Sequence, residues 1–357
     1  GSGVQSLEWG TFRDARLTSI VIPNSVKSIG EQAFMGNRLA SVTLGNSVES
    51  IGASAFKYNS IASLVIPDSV TVIGNQAFDG NSMSTLKLGS SLETIGAFAF
   101  AYNELSGDLA IPPSVSTIGS GAFSDAGVFD SVVLPDGLTE ISDQAFAYDG
   151  VNQVNIPDSV TTIGERAFSG SDLTSLTLPP ALVSIGDYAF ESADLTNLTL
   201  PSTLVTIGAG AFSGVPLASI AIPDSVTTIG KRAFLYSPIT SLTLGKSVTT
   251  IGEEAFYGHG VSRLNVPDSV TRIEARAFAS GNDLTEVLMS RSISFLGDNA
   301  VTSNQANLAV RMLGTTPPAS IVAAGVPGKS FQAGGTVHVS YPKTTPDHYG
   351  STWQGYV

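Results

Sequence analysis

The side chains able to do chemistry are few in this sequence, and they do not converge. Three histidines, His259, His338 and His348, lie far apart and outside any metal-ligand spacing. His259 falls between two repeated segments and reads as a solvated loop histidine. No H-E-x-x-H, no Walker-type phosphate loop and no C-x-x-C occurs, and with 0 cysteines there is no thiolate and no disulfide. Glu253 and Glu254 are adjacent, and nothing converges on them as an acid/base pair requires. Asp68, Asp136, Asp158, Asp224 and Asp268 recur at one position of a repeat, which raises the question of calcium. Calcium needs about six to eight oxygens around one ion. The same column holds Asn24, Asn46, Ser90, Pro113, Pro180, Ser202 and Lys246, so its residues read as turn caps. No catalytic residue, metal or cofactor is expected, and the enzyme class is disfavoured.

Aromatic rings at regular spacing suggest recognition instead. Tyr58, Tyr102, Tyr148 and Tyr236 share a column with Gly36, Gly80, Asp125, Gly170, Ser192, Gly214, Gly258 and Ser280. A ring there could lie over the glycine of the neighbouring coil, which is packing. Tyrosines two coils apart, at about 10 Å, could instead stack on sugar rings. Asn37, Asn59, Asn81 and Asn103 follow in the next column. Their amides are expected to ladder onto backbone groups, as buried turns demand.

What positions these columns is a repeat. Phe34, Phe56, Phe78, Phe100, Phe123, Phe146, Phe168, Phe190, Phe212, Phe234, Phe256 and Phe278 are spaced by 22 residues, except for steps of 23 on either side of Phe123. Phe12 marks a degenerate first copy, and Leu296 to Val301 a weakened last one. Each unit runs as in LTSLTLP (173–179): the last apolar pair reads as a short strand, two side chains inward and one outward. A Pro-Asp-Ser-Val turn follows, then V-x-x-I-G-x-x-A-F with four inward positions. The glycine marks a corner where a Cβ would clash or φ is positive. No unit can bury its apolar stripes alone, so the units must stack, with the phenylalanines forming an aromatic spine.

Composition agrees with such a stack. The chain has 357 residues, 42% apolar but only 13% charged, so Ser, Thr, Asn and Gly must cover its surface. A net charge of −13, dispersed without runs, argues against a nucleic-acid partner. No apolar run reaches the roughly 18 residues of a membrane span, so no membrane insertion is expected.

The pattern LxxLxLP-x-S-(V/L)-x-x-IG-x-x-AF resembles the BspA-like, or Treponema-type, leucine-rich repeat over residues 5 to about 312. The resemblance implies a repeat solenoid: a leucine-rich repeat right-handed superhelix with a parallel β-sheet on one face. About 13 coils of 22–23 residues carry short irregular or helical segments on the other face. It also implies a bacterial surface or secreted protein with a role in adhesion. The domain reading is residues 1–3 as a cloning remnant where a native signal peptide would be trimmed, 4–312 as the solenoid, and 313–357 as a capping segment. That last segment contains TTPP (315–318), the strand-like TVHV (336–339), Tyr349, Trp353 and Tyr356. A solenoid end exposes core and an unpaired edge, which a cap covers.

Two columns should line the sheet face: the residue just before each strand pair, running from Ser19, Ser41 and Ser63 to Arg263 and Glu286, and the residue between the two inward positions. Between the inward strand positions stand Thr43, Val65, Lys87, Asn155, Thr177, Thr199, Thr243 and Asn265, along with Val21, Ala110, Val133, Ala221 and Leu288. They are small and nearly uncharged, which suits either an exposed sheet or a flat docking surface. DSVTTIGERAF (158–168) and DSVTTIGKRAF (224–234) differ only at Glu165 and Lys231, which should therefore point to solvent. The expected function is a non-catalytic binding module that engages a protein or polysaccharide through the sheet face, outside the cell. The alternatives are an ice-binding surface, spoiled by Ala221, Asn155, Val133 and Lys87, and a structural spacer for another domain.

Overall fold

The computed structural model describes residues 3–281, 283–314, 330–334 and 336–340. The chain forms two compact units, residues 1–179 and 180–357, each a parallel β-solenoid of stacked coils. Gly1, Ser2, TTPP, Tyr349, Trp353 and Tyr356 lie outside the described residues.

Every coil contributes two short strand positions. The expected one follows the L-x-L pattern: Ser19–Val21 pairs in parallel with Ser41–Thr43, and Ser219–Ala221 with Ser241–Thr243. Ile22 and Ile222, next in line, are buried. In the coils at 173–179 and 195–201 the same in-out alternation persists without an assigned strand. The second ladder falls on V-x-x-I, where the sequence suggested only inward positions. In the first unit it runs through Ser6–Leu7, Ser28–Ile29, Ser50–Ile51, Val72–Ile73, Thr94–Ile95 and Thr117–Ile118. In the second it runs from Ser184–Ile185 through Thr206–Ile207, Thr228–Ile229, Thr250–Ile251 and Arg272–Ile273 to Phe295–Leu296.

The glycine that closes V-x-x-I-G is required by contact, not by φ. A Cβ on Gly30 would stand 2.5 Å from the Leu7 carbonyl oxygen, and one on Gly52 2.7 Å from the Glu31 nitrogen. Neither glycine has a positive φ. Of the two alternatives left open by the sequence, close approach of coil backbones is the operative one.

Around each phenylalanine the chain is irregular, and among the described residues no helix forms. The residue two before Phe and the residue two after it both adopt positive φ: Gln32 at 55° and Gly36 at 70°, Gln76 at 58° and Gly80 at 67°. Left-handed residues at both places break any helix. They also turn alternate N–H groups toward the next coil, so that Gln32, Phe34 and Gly36 donate to the carbonyls of Ala53, Ala55 and Lys57 at 2.9, 2.8 and 3.0 Å. Non-glycine residues at φ > 0 cost about 1–2 kcal/mol each, and these bonds between coils offset that cost.

The core follows the phenylalanines. From Phe12 to Phe168 the spine of the first unit stacks with centroids 5.0–5.6 Å apart and interplanar angles of 0–16°. In the second unit Phe190 to Phe278 stack at 5.1–5.5 Å. Val301 takes the spine position in the weakened last copy and pairs with Phe278. The 23-residue steps are absorbed where Leu105–Ala110 pairs with Gly127–Val133, through a bulge between Gly107 and Asp108. The extra residue is Asp130, which stands between the partners of Gly107 and Asp108. Beside it Phe129 fills the widened coil and meets Phe123 edge-on at 6.5 Å.

Two strands of the tail continue the ladders. Phe331–Gln332 pairs with Val301–Ser303, and Thr336–Ser340 pairs with Asn307–Met312.

Candidate functional site

The strand face is exposed along its outward column. Thr43, Val65, Lys87, Asn155, Thr177, Thr199, Thr243 and Asn265 are all open to solvent, and Val21 is 70% exposed. Strand register sets Val21 beside Thr43, Val65 beside Lys87, and Ala221 beside Thr243. The face therefore mixes methyl-bearing, hydroxyl and amide side chains, with Lys87 as a charged exception. Glu286 joins Arg263 at 3.7 Å and Arg311 at 3.2 Å, which concentrates charge at the C-terminal coils. Glu165 and Lys231 are partly exposed, and each holds a surface ion partner, Arg166 and Glu253 respectively. Their exchange of charge follows from that placement.

The four tyrosines occupy the left-handed column two residues after Phe. Tyr58, Tyr102, Tyr148 and Tyr236 are 54–65% exposed. Three rings lie over the glycine one coil on. A Cβ on Gly80 would stand 2.7 Å from Tyr58 Cδ1, one on Gly258 3.1 Å from Tyr236, and one on Gly170 3.7 Å from Tyr148. The same arrangement recurs in the column two before Phe, where Phe98 covers Gly121 and Tyr188 covers Gly210. In both columns an aromatic residue is followed one coil later by a glycine. Tyr102 departs from this rule, since Asp125 follows it.

That departure coincides with a cleft of about 270 Å³, lined by Lys57, Tyr58, Gln76, Asp79, Gly80, Phe98 and Tyr102. Lys57 Nζ sits 2.7 Å from Asp79 Oδ2, and both side chains are almost wholly buried. The ammonium lies 4.7 Å from the centroid of the Tyr58 ring. Burial pulls the Lys57 pKa down, but the Asp79 carboxylate more than compensates and the net shift is upward. Asp79 Oδ1 is buried and accepts no hydrogen bond from the protein. Sequence spacing singled out Tyr58 and Tyr102 but missed Lys57, Gln76, Asp79 and Phe98. The available signal was a Lys and an Asp one coil apart, directly after the phenylalanines, in a column that next holds Ala101, Ser124 and Ala147. Tyr148 and Tyr236 are not brought to this cleft; Tyr236 instead meets Tyr257 edge-on at 5.6 Å.

The asparagine column behaves as its chemistry requires. Asn81 accepts the Ile61 N–H at 3.1 Å and donates to the Phe56 and Phe78 carbonyls at 3.0 Å each. Asn37, Asn59 and Asn103 repeat this pattern. Further along, the same position after Phe holds Asp149 and His259. His259 is therefore no solvated loop residue: it is 1% exposed, and its Nδ1 accepts the Val261 N–H at 3.1 Å. Its ring meets Phe278 edge-on at 6.0 Å. Desolvation pushes its pKa down to about 4, against smaller opposing effects of the Phe278 backbone and Asp283. The sequence reading failed because it placed His259 by what surrounds it and not by its column.

The turn-column carboxylates act as caps between coils. Asp68 Oδ1 accepts the Ser90 N–H at 2.8 Å, Asp224 that of Lys246 at 2.9 Å, and Asp268 that of Arg291 at 2.9 Å. Asn24 does the same for Asn46. The Ser90 N–H in turn holds the Asp68 carboxyl below its ordinary range.

Parallel coils of 22–23 residues, a short strand at L-x-L and a buried aromatic spine define a leucine-rich-repeat solenoid. The match of a family model for the BspA type leucine rich repeat region, in six copies, covers residues 5–128, 117–239 and 183–309, and the chain belongs to that family. Among solved structures it is similar to a leucine-rich repeat protein from Bacteroides ovatus, with 24% identity over 86% of this chain and 82% of that one, at a TM-score of 0.64. It is also similar to YopM from Yersinia enterocolitica, with 15% identity over 97% of this chain and 77% of that one, at a TM-score of 0.56. At these identities the likeness is one of fold. No curated protein matches the chain.

Proposed function

We propose that the chain is a non-catalytic binding module of a bacterial surface or secreted protein, which holds a protein partner on its strand face. The observation that carries this reading is the outward column of Thr43, Val65, Lys87 and their equivalents, solvent-exposed on a backbone held rigid by paired strands. A parallel ladder that spends its backbone groups internally leaves side chains as the means of recognition. The small, weakly charged side chains fit an extended apolar and hydroxyl-bearing partner surface better than a charged one. Family membership supports a binding scaffold, and adhesion is the role we assign to it. Residues 313–357 then serve to close the stack, in keeping with the two ladder strands they contribute.

A panel of immobilised extracellular-matrix proteins, probed with the purified chain, tests the reading. Saturable binding to at least one is expected. A folded, monodisperse sample that binds none returns the spacer reading, and thermal hysteresis in place of binding returns the ice-binding one.

A further inference from the structure

The cleft at Tyr58 and Tyr102 carries a chemistry that the strand face does not use. Burying an ion pair costs more than the pair returns unless its remaining hydrogen-bond sites are also satisfied. Here one is not. Asp79 is 3% exposed, and its Oδ1 accepts nothing from the protein. Lys57 Nζ has three N–H donors and spends one on Asp79 Oδ2. Gln76 brings an amide to the same wall. Next to this polar group stand two half-exposed tyrosine rings two coils apart, about 10 Å by strand spacing, with Gly80 between them.

We propose that this cleft is a subsite for one neutral pyranose ring of a glycan. A pyranose has an apolar C–H face that can pack on the Tyr102 ring, since the Tyr58 ring already meets Gly80 and the Lys57 ammonium, and a rim of hydroxyls that both donate and accept. Its hydroxyls can accept from Lys57 Nζ and from the Gln76 amide, while the buried Asp79 carboxylate, closed to solvent at Oδ1, holds the ammonium at the cleft wall. The volume of about 270 Å³ is just under the range of roughly 300–1,000 Å³ for small-molecule sites, which fits one ring and not an oligomer. Charge selects the neutral class. The position over the Tyr58 face that a ligand cation would take is held by the Lys57 ammonium. An anion would find that ammonium neutralised by Asp79, on a chain of net charge −13. The cleft lies on the stacked turns, so its failure would leave the strand-face reading standing.

Saturation-transfer NMR on the full chain tests this with methyl glycosides of glucose, galactose, mannose and N-acetylglucosamine. Choline serves as the cation probe and sulfate as the anion probe. Transfer to at least one hexoside is expected, with a dissociation constant in the millimolar range, roughly −4 kcal/mol. Glycine already occupies the left-handed column in other coils, so Tyr102→Gly keeps the backbone and should weaken binding about tenfold or more. The double variant Lys57→Ala/Asp79→Ser uses side-chain types found in that column in the next coils and should do the same. Tyr236→Gly should leave binding unchanged. The proposal is overturned by no transfer to any hexoside from folded protein, by tighter binding of choline or sulfate, or by an equal loss in Tyr236→Gly. If the double variant does not fold, Tyr102→Gly decides alone.

Discussion

Asp149 occupies a column built for asparagine. Its Oδ1 accepts the Ala126 and Gly127 N–H groups at 2.7 and 3.0 Å, as an amide oxygen would. At the second atom an asparagine donates, but a carboxylate has no proton to give, and Asp149 Oδ2 has no partner. Burial therefore pushes its pKa up to about 8, against the pull of the two N–H bonds. The folded chain keeps a proton that the unfolded chain releases near 3.8. Stability from this group is full below that value and is lost as pH rises through about 8. Asp149→Asn supplies a permanent donor. Above about pH 6.5, where His259 no longer contributes a slope, the variant's melting temperature should stay flat to about pH 9 while the wild type declines through pH 8, with a gap at the alkaline end on the order of a few kcal/mol. Parallel curves for the two proteins would refute this. His259 behaves in the opposite sense. With its pKa lowered from 6.5 to about 4, it lends stability above 6.5 that is lost as pH falls through 4. Its imidazole NMR signal should not titrate between about pH 8 and 5, whereas a solvated histidine would show a midpoint near 6.5.

At the scale of the coil, the asparagine ladder links each turn to the one before. Asn81→Ala removes the acceptor for Ile61 N–H and leaves the Phe56 and Phe78 carbonyls short of a donor. Coils with Ala126, Ala193 or Val215 in this column show how the chain adapts: the residue's own N–H caps the phenylalanine carbonyl three residues back. The substitution should therefore cost about 1–3 kcal/mol, measurable by denaturant unfolding, and leave the spine intact by circular dichroism. A loss beyond that would mean that the coil cannot adopt the alternative turn. The coil was largely legible in the sequence, because Phe, Ile, Val and Ala in fixed columns report burial directly. The ladder on V-x-x-I was not, since two-residue strands leave too short an alternation to read. Nor were the left-handed positions at Gln32, Gln76 and Arg166 legible. Nothing in a Gln or an Arg announces positive φ; contacts between coils impose it.

For the whole molecule, the repeated letters describe the scaffold, and the proposed binding function assigns recognition to the variable ones. Tyr58 and Tyr102 were visible as candidates because they interrupt a glycine column. Lys57 and Asp79 were not, since a single ion pair leaves no periodic trace. A strand face with few charges predicts a partner held by contact and not by field. Its affinity should change less than about threefold between low and high salt, because screening acts on charged pairs. A steep salt dependence in a binding assay would instead point to the arginines around Glu286.

The most direct measurement is surface plasmon resonance against whichever matrix protein the chain binds, comparing the wild type with Thr43→Glu/Val65→Glu. Both substituted side chains are exposed on the strand face, so the fold should survive with an unchanged melting temperature. Binding through that face predicts a loss of about tenfold or more, some 1.4 kcal/mol. An unchanged affinity in the folded double variant would contradict it.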